Sequence, residues 1–334
     1  VEEVARLCTT DLWGHILVFL PGVKEIRWVQ DRLATHTKRN VYPLHGRLTS
    51  QQQDHALAPS TRPKVVLSTN LAETSVTLPN VQWVVDSGLH RTSYVKNGIS
   101  RLKTEMISKD SATQRAGRAG RTEQGHALRL WAEFTHQRLA EQRQPEIERA
   151  DLCHAILQVL SWGADLKHFQ WFTDPPPGGL RATLDTLHEI HALQDGKITP
   201  IGRTLAELPI HPCWGRVLIA AQQYQRLPEA AALAAIVTED AFGLFREQTL
   251  EEAIQSVQHG HCPNRLTQVV GQLTRPLQRT PSSIESTEKI SHSLAYCVLQ
   301  GFPKRVGQVR PDRKRVLLSS GSEAWFHTDN GSET

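Results

Sequence analysis

The feature that most constrains the fold is a repeated alternation of short apolar runs with helical segments over the first 131 residues. Residues 15–20 form an apolar run that ends at Pro21-Gly22, and residues 23–33 then carry apolar side chains at helical spacing. Further strand-like runs follow at 41–45, 64–67, 81–85 and 126–131. This alternation predicts an α/β fold with a doubly wound, mostly parallel sheet. In such sheets, ligands bind beyond the carboxyl ends of the strands.

From residue 145 onwards the pattern is mostly helical, and it changes again near the end of the chain. A turn at Asp195-Gly196 after two helical segments is typical of a winged-helix module, and apolar runs around Gly321 indicate strands. The sequence therefore predicts four domains: a parallel-sheet domain at 1–144, a winged-helix domain at 145–212, a helical domain at 213–298 and the start of a β-domain at 299–334.

The composition restricts the possible functions of the chain less than the pattern of strands and helices restricts its fold. The 334-residue chain has a formal charge of +4 and a pI near 8.8, which allow a nucleic-acid partner without requiring one. Its five cysteines include no C-x-x-C pair, so the sequence predicts no disulfide framework, no zinc site and no metal ligand. No apolar run is long enough to span a bilayer, and we expect a cytoplasmic location. Because the chain begins at Val1, we expect it to be part of a longer protein.

The segment Gln114-Arg115-Ala116-Gly117-Arg118-Ala119-Gly120-Arg121 is the strongest candidate for chemistry. Wound as a helix at about 100° per residue, it places Gln114, Arg118 and Arg121 within about 60° of one another. Each interior glycine costs about 1 kcal/mol against alanine, so we expect the small-residue side to approach another backbone closely. Two guanidinium groups suit phosphate oxygens, and an amide beside them can orient a water. A basic helix that binds nucleic-acid backbone is the alternative.

Three other polar segments have both a functional and a structural interpretation. Four hydroxyl or amide residues follow the predicted strand at 64–67, more than a helix cap needs: Thr69, Asn70, Thr74 and Ser75. The segment 90–108, with Asn97-Gly98 at its centre, predicts a basic hairpin that is either a nucleic-acid wedge or simply solvated. The densest basic cluster predicts either a phosphate-binding surface or a solvated ribbon: Lys304, Arg305, Arg310, Arg313, Lys314 and Arg315.

Two expected parts of a nucleotide site do not occur in the sequence. It contains no G-x-x-x-x-G-K-[ST] loop for phosphates, and no acidic pair after an apolar strand that could hold magnesium. The tetrapeptide Asp151-Leu152-Cys153-His154 is superficially similar to such a pair, but it opens a helix and carries leucine where the carboxylate is needed, so we interpret it as a coincidence. The arginines therefore predict half of an active site.

Taken together, these segments resemble the conserved motifs of DEAH-box helicases of superfamily two. Residues 114–121 are similar to motif six of that family, and residues 68–77 and 18–22 to its motifs five and four, in the same order. Residues 84–88 and the hairpin after them fit the same pattern. Downstream, the similarity extends through 187–212, and 174–177 with the stretch from Ala295 is most similar to bacterial HrpB-type helicases.

The resemblance implies a fold, ligands and residue roles. The fold would be the second RecA-like domain, a winged helix, a ratchet-like helical domain and the start of a β-domain. Gln114 would position the attacking water, and Arg118 and Arg121 would contact the γ-phosphate of ATP. Ser75 would sense the nucleotide state. The RNA backbone would contact three residues: Gly22, Thr69 and Asn70. The ligands for Mg²⁺ would come mainly from the first RecA-like domain of the same full-length protein.

One departure from the family pattern and two alternatives accompany this interpretation. Where relatives often carry an acidic residue for the nucleotide ribose, this chain has Pro79-Asn80, which predicts weaker recognition there. The resemblance implies part of an ATP-dependent RNA helicase that is inactive by itself. The alternatives are a non-catalytic nucleic-acid-binding module and a DNA translocase of the same superfamily, because DNA is not excluded as the partner.

Overall fold

A computed structural model describes residues 1–10, 14–74, 76–96, 99–121, 124–278, 293–311, 315–319 and 321–325. The chain separates into two compact units, residues 1–150 and residues 151–334. The finer division of the second unit into three domains stays a prediction.

The first unit alternates strands and helices in the predicted order. Its described strands are β1 (His15–Phe19), β2 (Val41–Leu44), β3 (Val65–Ser68), β4 (Val81–Asp86), β5 (Leu89–Lys96), β6 (Ile99–Met106) and β7 (His126–Arg129). Its described helices are α1 (Glu2–Thr9), α2 (Val23–Leu33), α3 (Ser50–Leu57), α4 (Leu71–Thr74), α5 (Lys109–Ala116) and α6 (Glu133–Gln137), with a 3₁₀ turn at Glu146–Glu148. Helix α3 begins with a capping box, in which Thr49 accepts from the Gln52 amide.

Five strands form one parallel sheet in the order β2-β3-β1-β4-β7, which confirms the predicted doubly wound α/β fold. Strand β1 lies at the centre, and all five of its residues are buried. Ile16 and Val18 point into one core layer with α1 and α2, while Leu17 and Phe19 point into the other. A strand covered on both faces needs a continuous apolar run, and the sequence at 15–20 has one.

The hairpin predicted between His90 and Ser108 is formed by the antiparallel strands β5 and β6, paired from Leu89–Met106 to Lys96–Ile99. Its predicted turn, Asn97-Gly98, lies outside the described residues. The paired strands show that the hairpin is regular up to that turn.

Helix α5 differs from the prediction in its end and in its packing. It stops at Ala116, and residues 117–120 continue as tight turns in which Arg118 N–H donates to Arg115 O at 3.1 Å. Arg118 and Arg121 therefore lie beyond the helix that we expected to carry them. The expected close backbone approach occurs at Ala119, because a Cβ added at Gly125 would collide with the Ala119 carbonyl group. It does not occur at the two glycines, since a Cβ added at Gly120 would meet no atom within 4 Å and one at Gly117 would meet only its own preceding turn.

The second unit is built mainly from helices. Its described helices are α7 (Cys153–Ser161), α8 (Pro177–Glu189), α9 (Pro200–Glu207), α10 (Pro212–Gln223), α11 (Leu227–Thr238), α12 (Leu250–Gln258), α13 (Asn264–Gln278) and α14 (Leu294–Gly301), with 3₁₀ turns at Ala241–Leu244 and Pro303–Arg305. Its described strands are β8 (Leu193–Gln194), β9 (Lys197–Ile198), β10 (Gly307–Val309), β11 (Arg315–Leu318) and β12 (Glu323–Trp325).

The wing-like turn has the predicted hairpin geometry. Asp195 and Gly196 both have positive φ, 50° and 74°, which is the backbone that a two-residue hairpin turn between β8 and β9 requires. The helix α9 that follows is capped by Thr199, whose Oγ1 accepts from the Gly202 amide at 3.0 Å. Asp-Gly satisfies this conformation at small cost, so the sequence alone was sufficient to predict the turn.

The centre of the second unit is packed from small side chains. In α11, every residue from Ala230 to Ile236 is buried, and α10 is buried over most of its length. Helix α14 approaches α10 closely, because a Cβ added at Gly301 would lie 2.1 Å from the Cys213 carbonyl oxygen. Among the described helices, none combines the length and the apolar character that crossing a bilayer needs.

A buried histidine at the start of β1 predicts a loss of stability in mild acid. His15 is 2 % exposed, and burial together with the charges of Lys64 and Arg39 lowers its pKa to about 4. Below pH 6.5 the unfolded chain binds a proton that the folded chain excludes, so folding weakens as the pH falls towards 4. We expect this group to remove about 2 kcal/mol of unfolding free energy between pH 6.5 and 5.

The measurement is chemical denaturation across that pH range for the wild type and for His15→Asn, which removes the titrating ring and keeps an acceptor near the Lys64 amide. The pH dependence should flatten in His15→Asn. The exposed His36→Asn variant is the control and should follow the wild type. Parallel profiles for all three proteins would show that His15 contributes nothing to the acid sensitivity.

Candidate functional site

The carboxyl ends of β1, β3 and β4 meet at one edge of the parallel sheet. Phe19 is paired in register with Ser68 on one side and with Asp86 on the other. The segments that follow these strands carry the residues of the three predicted motifs near this edge. Among these, Ser68 is buried, and its hydroxyl donates to the Leu44 and Thr69 carbonyls, so it has a structural role.

Beneath this edge lies a buried cluster of charges centred on Arg115. Its Nε donates to Glu73 Oε2 at 2.9 Å, and its Nη1 donates to Asp86 Oδ1 at 3.0 Å. The guanidinium is 1 % exposed and lies over the Phe19 ring at 4.8 Å. Ser111 completes the cluster by donating to Glu73 Oε1 at 2.6 Å. Together these contacts fix α5 against α4 and the end of β4.

The Arg118 side chain binds the segment that carries Glu73 through backbone carbonyl groups of that segment. Its guanidinium donates to the carbonyl oxygens of Glu73 and Val76, the latter at 2.7 Å, and the residue is 7 % exposed. Burial, and then the positive charge of Arg121, lower the pKa of Arg118. Arg121 contacts Thr77 Oγ1, on the residue that follows the Val76 carbonyl bound by Arg118. Arg118 therefore holds the segment around residues 73–76 in place and contacts the same segment as Arg121 does.

The other two predicted phosphate-facing residues are exposed. Among the described residues, Arg121 makes one long contact, from Nη1 to Thr77 Oγ1 at 3.4 Å, and Gln114 lies on the exposed face of α5. The structure thus brings Arg118 and Arg121 to the segment 73–77, but it gives them different surroundings. Arg121 has the freedom to turn towards a ligand, whereas Arg118 is already bonded.

The predicted RNA-facing residues lie at the same edge in different environments. Thr69 is half-buried, and its Oγ1 accepts from the Leu71 amide at 3.4 Å, which is the capping role considered above. Asn70 is exposed, and its carbonyl accepts from the Glu73 amide at 3.0 Å. Ser75, the predicted sensor of the nucleotide state, lies outside the described residues.

Gly22 is buried under an arginine that sequence analysis placed only in the hairpin. A Cβ added at Gly22 would lie 2.7 Å from Arg91 Cζ, so glycine is needed for the guanidinium to lie across the end of β1. Arg91 is 31 % exposed and pairs with Glu25 at 3.1 Å. The base of the hairpin thus places a cation over the predicted RNA-contacting backbone, and Arg91 joins the candidate site.

Sequence reasoning also missed the buried charges, whereas the predicted effect of Pro79-Asn80 on ribose recognition stays a prediction. It assigned no role to Arg115, and nothing local to that residue identifies Glu73 and Asp86 as its partners. The Asn80 carbonyl accepts from the His15 amide at 2.8 Å, which places Pro79-Asn80 near the amino end of β1. That is the opposite edge of the sheet from Gly22.

The donor set of this edge suits anions better than cations. Arg121 presents an exposed guanidinium group there and Arg91 a partly exposed one that is paired with the Glu25 carboxylate at 3.1 Å, while the carboxylates of Glu73 and Asp86 are buried and bonded to Arg115. Burial raises the pKa of Asp86, although the charge of Arg115 opposes that rise. The arrangement can bind phosphate oxygens through guanidinium groups, and it offers no exposed carboxylate of this pair to a magnesium ion.

Two known domain families match the chain. Residues 1–123 match the helicase conserved C-terminal domain, and residues 183–210 match the winged-helix part of the helicase associated domain (HA2). The second match covers the end of α8, the β8–β9 hairpin and α9, which is the region predicted to form a winged helix.

Individual relatives give the same result. The chain is 38% identical over 233 residues to ATP-dependent RNA helicase HrpB of Escherichia coli (strain K12), covering 68% of this chain and 29% of that protein. It is 37% identical over 243 residues to the probable ATP-dependent RNA helicase DHR2 of Saccharomyces cerevisiae, covering 67% of this chain and 33% of that protein. The chain thus spans about a third of the length of these relatives.

Solved structures match over nearly the full chain. The crystal structure of Escherichia coli DEAH/RHA helicase HrpB aligns with a TM-score of 0.79 and 30% identity, covering 99% of this chain and 41% of that one. The crystal structure of E. coli DExH-box NTPase HrpB aligns with a TM-score of 0.75 and 31% identity, covering 99% of this chain and 40% of that one. With the helicase C-terminal domain, the HA2 match and these relatives, the chain belongs to the DEAH-box RNA helicase family and is related to HrpB.

Proposed function

We propose that the chain is the C-terminal part of an ATP-dependent RNA helicase, in which its first unit closes over a nucleotide held by another RecA-like domain. The observation that carries this proposal is the pair of neighbouring guanidinium groups on the segment 73–77, one bonded and one exposed. Phosphoryl transfer depends on such fixed positive charge beside the transferred group. In the longer protein, ATP would be hydrolysed and the domains would move along RNA in the cytoplasm.

The two arginines have separable roles in this proposal. Arg121 is exposed and makes one contact at 3.4 Å, so it can turn onto the γ-phosphate oxygens at little cost. Arg118 is committed to two carbonyl oxygens of the α4 segment, so in this state it positions that segment, and it reaches phosphate only by releasing them. Gln114, exposed one turn earlier, would orient the attacking water.

The same segment links the nucleotide side to the RNA side. Glu73 accepts from Ser111 and Arg115 through its carboxylate and from Arg118 through its carbonyl, while its own amide donates to the Asn70 carbonyl. A movement of Arg118 on binding or release of phosphate would therefore shift α4 and, through it, Asn70. We propose Thr69, Asn70 and the Gly22 backbone as RNA contacts, with Arg91 as an added phosphate contact and Ser75 as the sensor.

Magnesium and the phosphate loop would come from the other domain. ATP with Mg²⁺ supplies the phosphoryl group, and the residues here fit its oxygens because the exposed donors are guanidinium and amide groups. The carboxylates of Glu73 and Asp86 are held by Arg115 and are poorly placed to bind a cation. The proposal therefore assigns charge stabilisation and water positioning to this chain, and metal binding to its partner domain.

The test is ATP hydrolysis by the complete reading frame, measured with and without single-stranded RNA and with DNA of the same sequence. We expect RNA to stimulate hydrolysis, and the 334-residue chain alone to show none above background. Arg91→Ala should raise the RNA concentration for half-maximal stimulation by about tenfold, because a charge-assisted phosphate contact contributes roughly 1.5 kcal/mol.

Arg6→Ala is the matched control, since Arg6 is an exposed cation that pairs locally with Glu3 at 2.8 Å in α1. Its stimulation curve should match that of the wild type. Absence of ATP hydrolysis in the complete protein would favour the non-catalytic binding module. Stimulation by DNA and not by RNA would favour the DNA translocase.

A further inference from the structure

The second unit contains a cluster of metal-binding side chains that has no part in the proposed function. Asp151, Cys153 and His211 each place one ligand atom within 4.8 Å of the other two. His211 Nε2 lies 3.1 Å from Asp151 Oδ1, and Cys213 joins the cluster through its amide, which donates to His211 Nδ1 at 3.2 Å. The cluster is therefore a carboxylate, an imidazole and two thiols.

Two helix N-termini bring these residues together. Cys153 begins α7, with Asp151 two positions before it, and Cys213 is the second residue of α10, whose N-cap is His211. Asp151 Oδ1 accepts from the Cys153 amide at 2.8 Å, and His211 Nδ1 accepts from the Cys213 amide at 3.2 Å. These capping bonds orient the acidic and imidazole groups towards each other, so the backbone positions the cluster before any ligand binds.

We propose that Asp151, Cys153, His211 and Cys213 form a zinc site that joins the start of α7 to the start of α10. Carboxylate oxygen, imidazole nitrogen and thiolate sulfur are the ligands that Zn²⁺ prefers, and four of them satisfy its tetrahedral geometry. Ligand atoms about 2.0–2.3 Å from the metal lie about 3.4–3.7 Å apart, so Asp151, Cys153 and His211, whose ligand atoms lie within 4.8 Å of one another, need shifts of about 1 Å. Cys213 lies outside that group of three and must move further to bind.

Burial and charge suit a structural site of this kind. Cys153 is 1 % exposed and Cys213 is 7 % exposed, whereas the side chains of Asp151 and His211 are 24 % and 34 % exposed and leave a route for the ion. With two thiolates, one carboxylate and Zn²⁺, the site carries a net charge of about −1, which the positive ends of two helices favour. Burial raises the pKa of the Cys153 thiol to about 12, so the ion itself must displace the proton from that sulfur.

Zinc binding changes the protonation of its ligands in a defined way. Each thiol releases its proton to solvent as its sulfur binds zinc, giving two protons for each ion. The ring proton of His211 moves from Nε2, where it is donated to Asp151, to Nδ1 as Nε2 takes the metal. The Cys213 amide then loses its capping bond, because Nδ1 now carries the proton and can no longer accept. The bonds from the metal to residues at the starts of α7 and α10 replace that capping bond and hold the two helices together.

The experiment is a titration of the chelator-treated 334-residue chain with Co²⁺ and with Zn²⁺, the latter in competition with a chromogenic chelator. We expect one equivalent to bind and the Co²⁺ form to show the absorption of a tetrahedral, thiolate-ligated ion. Cys153→Ser and His211→Asn should each weaken Zn²⁺ binding about 100-fold or more, whereas Cys297→Ser, which changes another buried thiol of the same unit, should leave it unchanged.

Thermal unfolding gives a second readout that does not need a stable variant. Zn²⁺ should raise the midpoint of the wild type and of Cys297→Ser, and chelator should reverse the rise. If the wild type binds no Co²⁺ with thiolate absorption, or if Cys153→Ser binds both ions as well as the wild type does, the four residues form only a pair of helix caps and the proposal is wrong.

Discussion

Arg121→Ala in the complete helicase is expected to lower RNA-stimulated ATP hydrolysis by about a thousandfold or more, because an arginine that reaches the transferred phosphate contributes about 10³-fold or more to the rate. Within the part of the chain that the structure describes, Arg121 has one contact, at 3.4 Å to Thr77 Oγ1, and it is exposed. Its removal therefore costs little folding energy, and the free energy of unfolding should change by no more than about 0.5 kcal/mol. The rate constant is measured at saturating ATP and RNA.

RNA affinity measured in parallel decides between the two interpretations of this segment. If Arg121 acts on phosphate of the nucleotide, RNA affinity should stay within about twofold of the wild type while hydrolysis falls. If it instead belongs to a basic helix that binds nucleic-acid backbone, RNA affinity should fall and hydrolysis at saturating RNA should survive. Arg138→Ala, which removes an arginine of the same unit that stacks on Phe134 at 4.0 Å, is the control and should change neither quantity.

Arg115→Ala is expected to destabilise the first unit by about 3–5 kcal/mol, because it leaves the buried carboxylates of Glu73 and Asp86 without their cation. Among the described residues, Asp86 Oδ2 already has no hydrogen-bond partner, so the loss of Arg115 cannot be compensated by an existing bond to that atom. Chemical denaturation of the 334-residue chain measures this change. Since α5 and α4 are held together by this cluster, RNA binding should fall with stability.

Arg121→Ala is the matched control for this experiment, because it removes an arginine six positions further along that is exposed rather than buried. Arg115 should be required for folding and Arg121 for hydrolysis. An Arg115→Ala protein as stable as Arg121→Ala would mean that the buried cluster contributes no net stability.

Much of the first unit followed from local patterns. The apolar run at 15–20 could be satisfied only by a strand covered on both faces, and β1 is that strand. The winged-helix turn followed from Asp195-Gly196 because few other residues tolerate positive φ at two successive positions. The candidate site was predicted in part. Arg118 and Arg121 do approach the segment 73–77, but the helix that was to carry them ends at Ala116.

The sequence by itself determined the succession of strands and helices along the chain, the edge of the sheet at which the motifs lie, and the family. Each of these depends on short segments whose residues are near one another in the chain. Only the tertiary structure decided which arginine is buried and which is exposed. Arg115 meets Glu73 and Asp86 across separations of 42 and 29 residues, and Asp151 meets His211 in a similar way. A helical projection gives directions around one axis and contains no information about such distant partners, so the roles of these side chains depend on packing between segments.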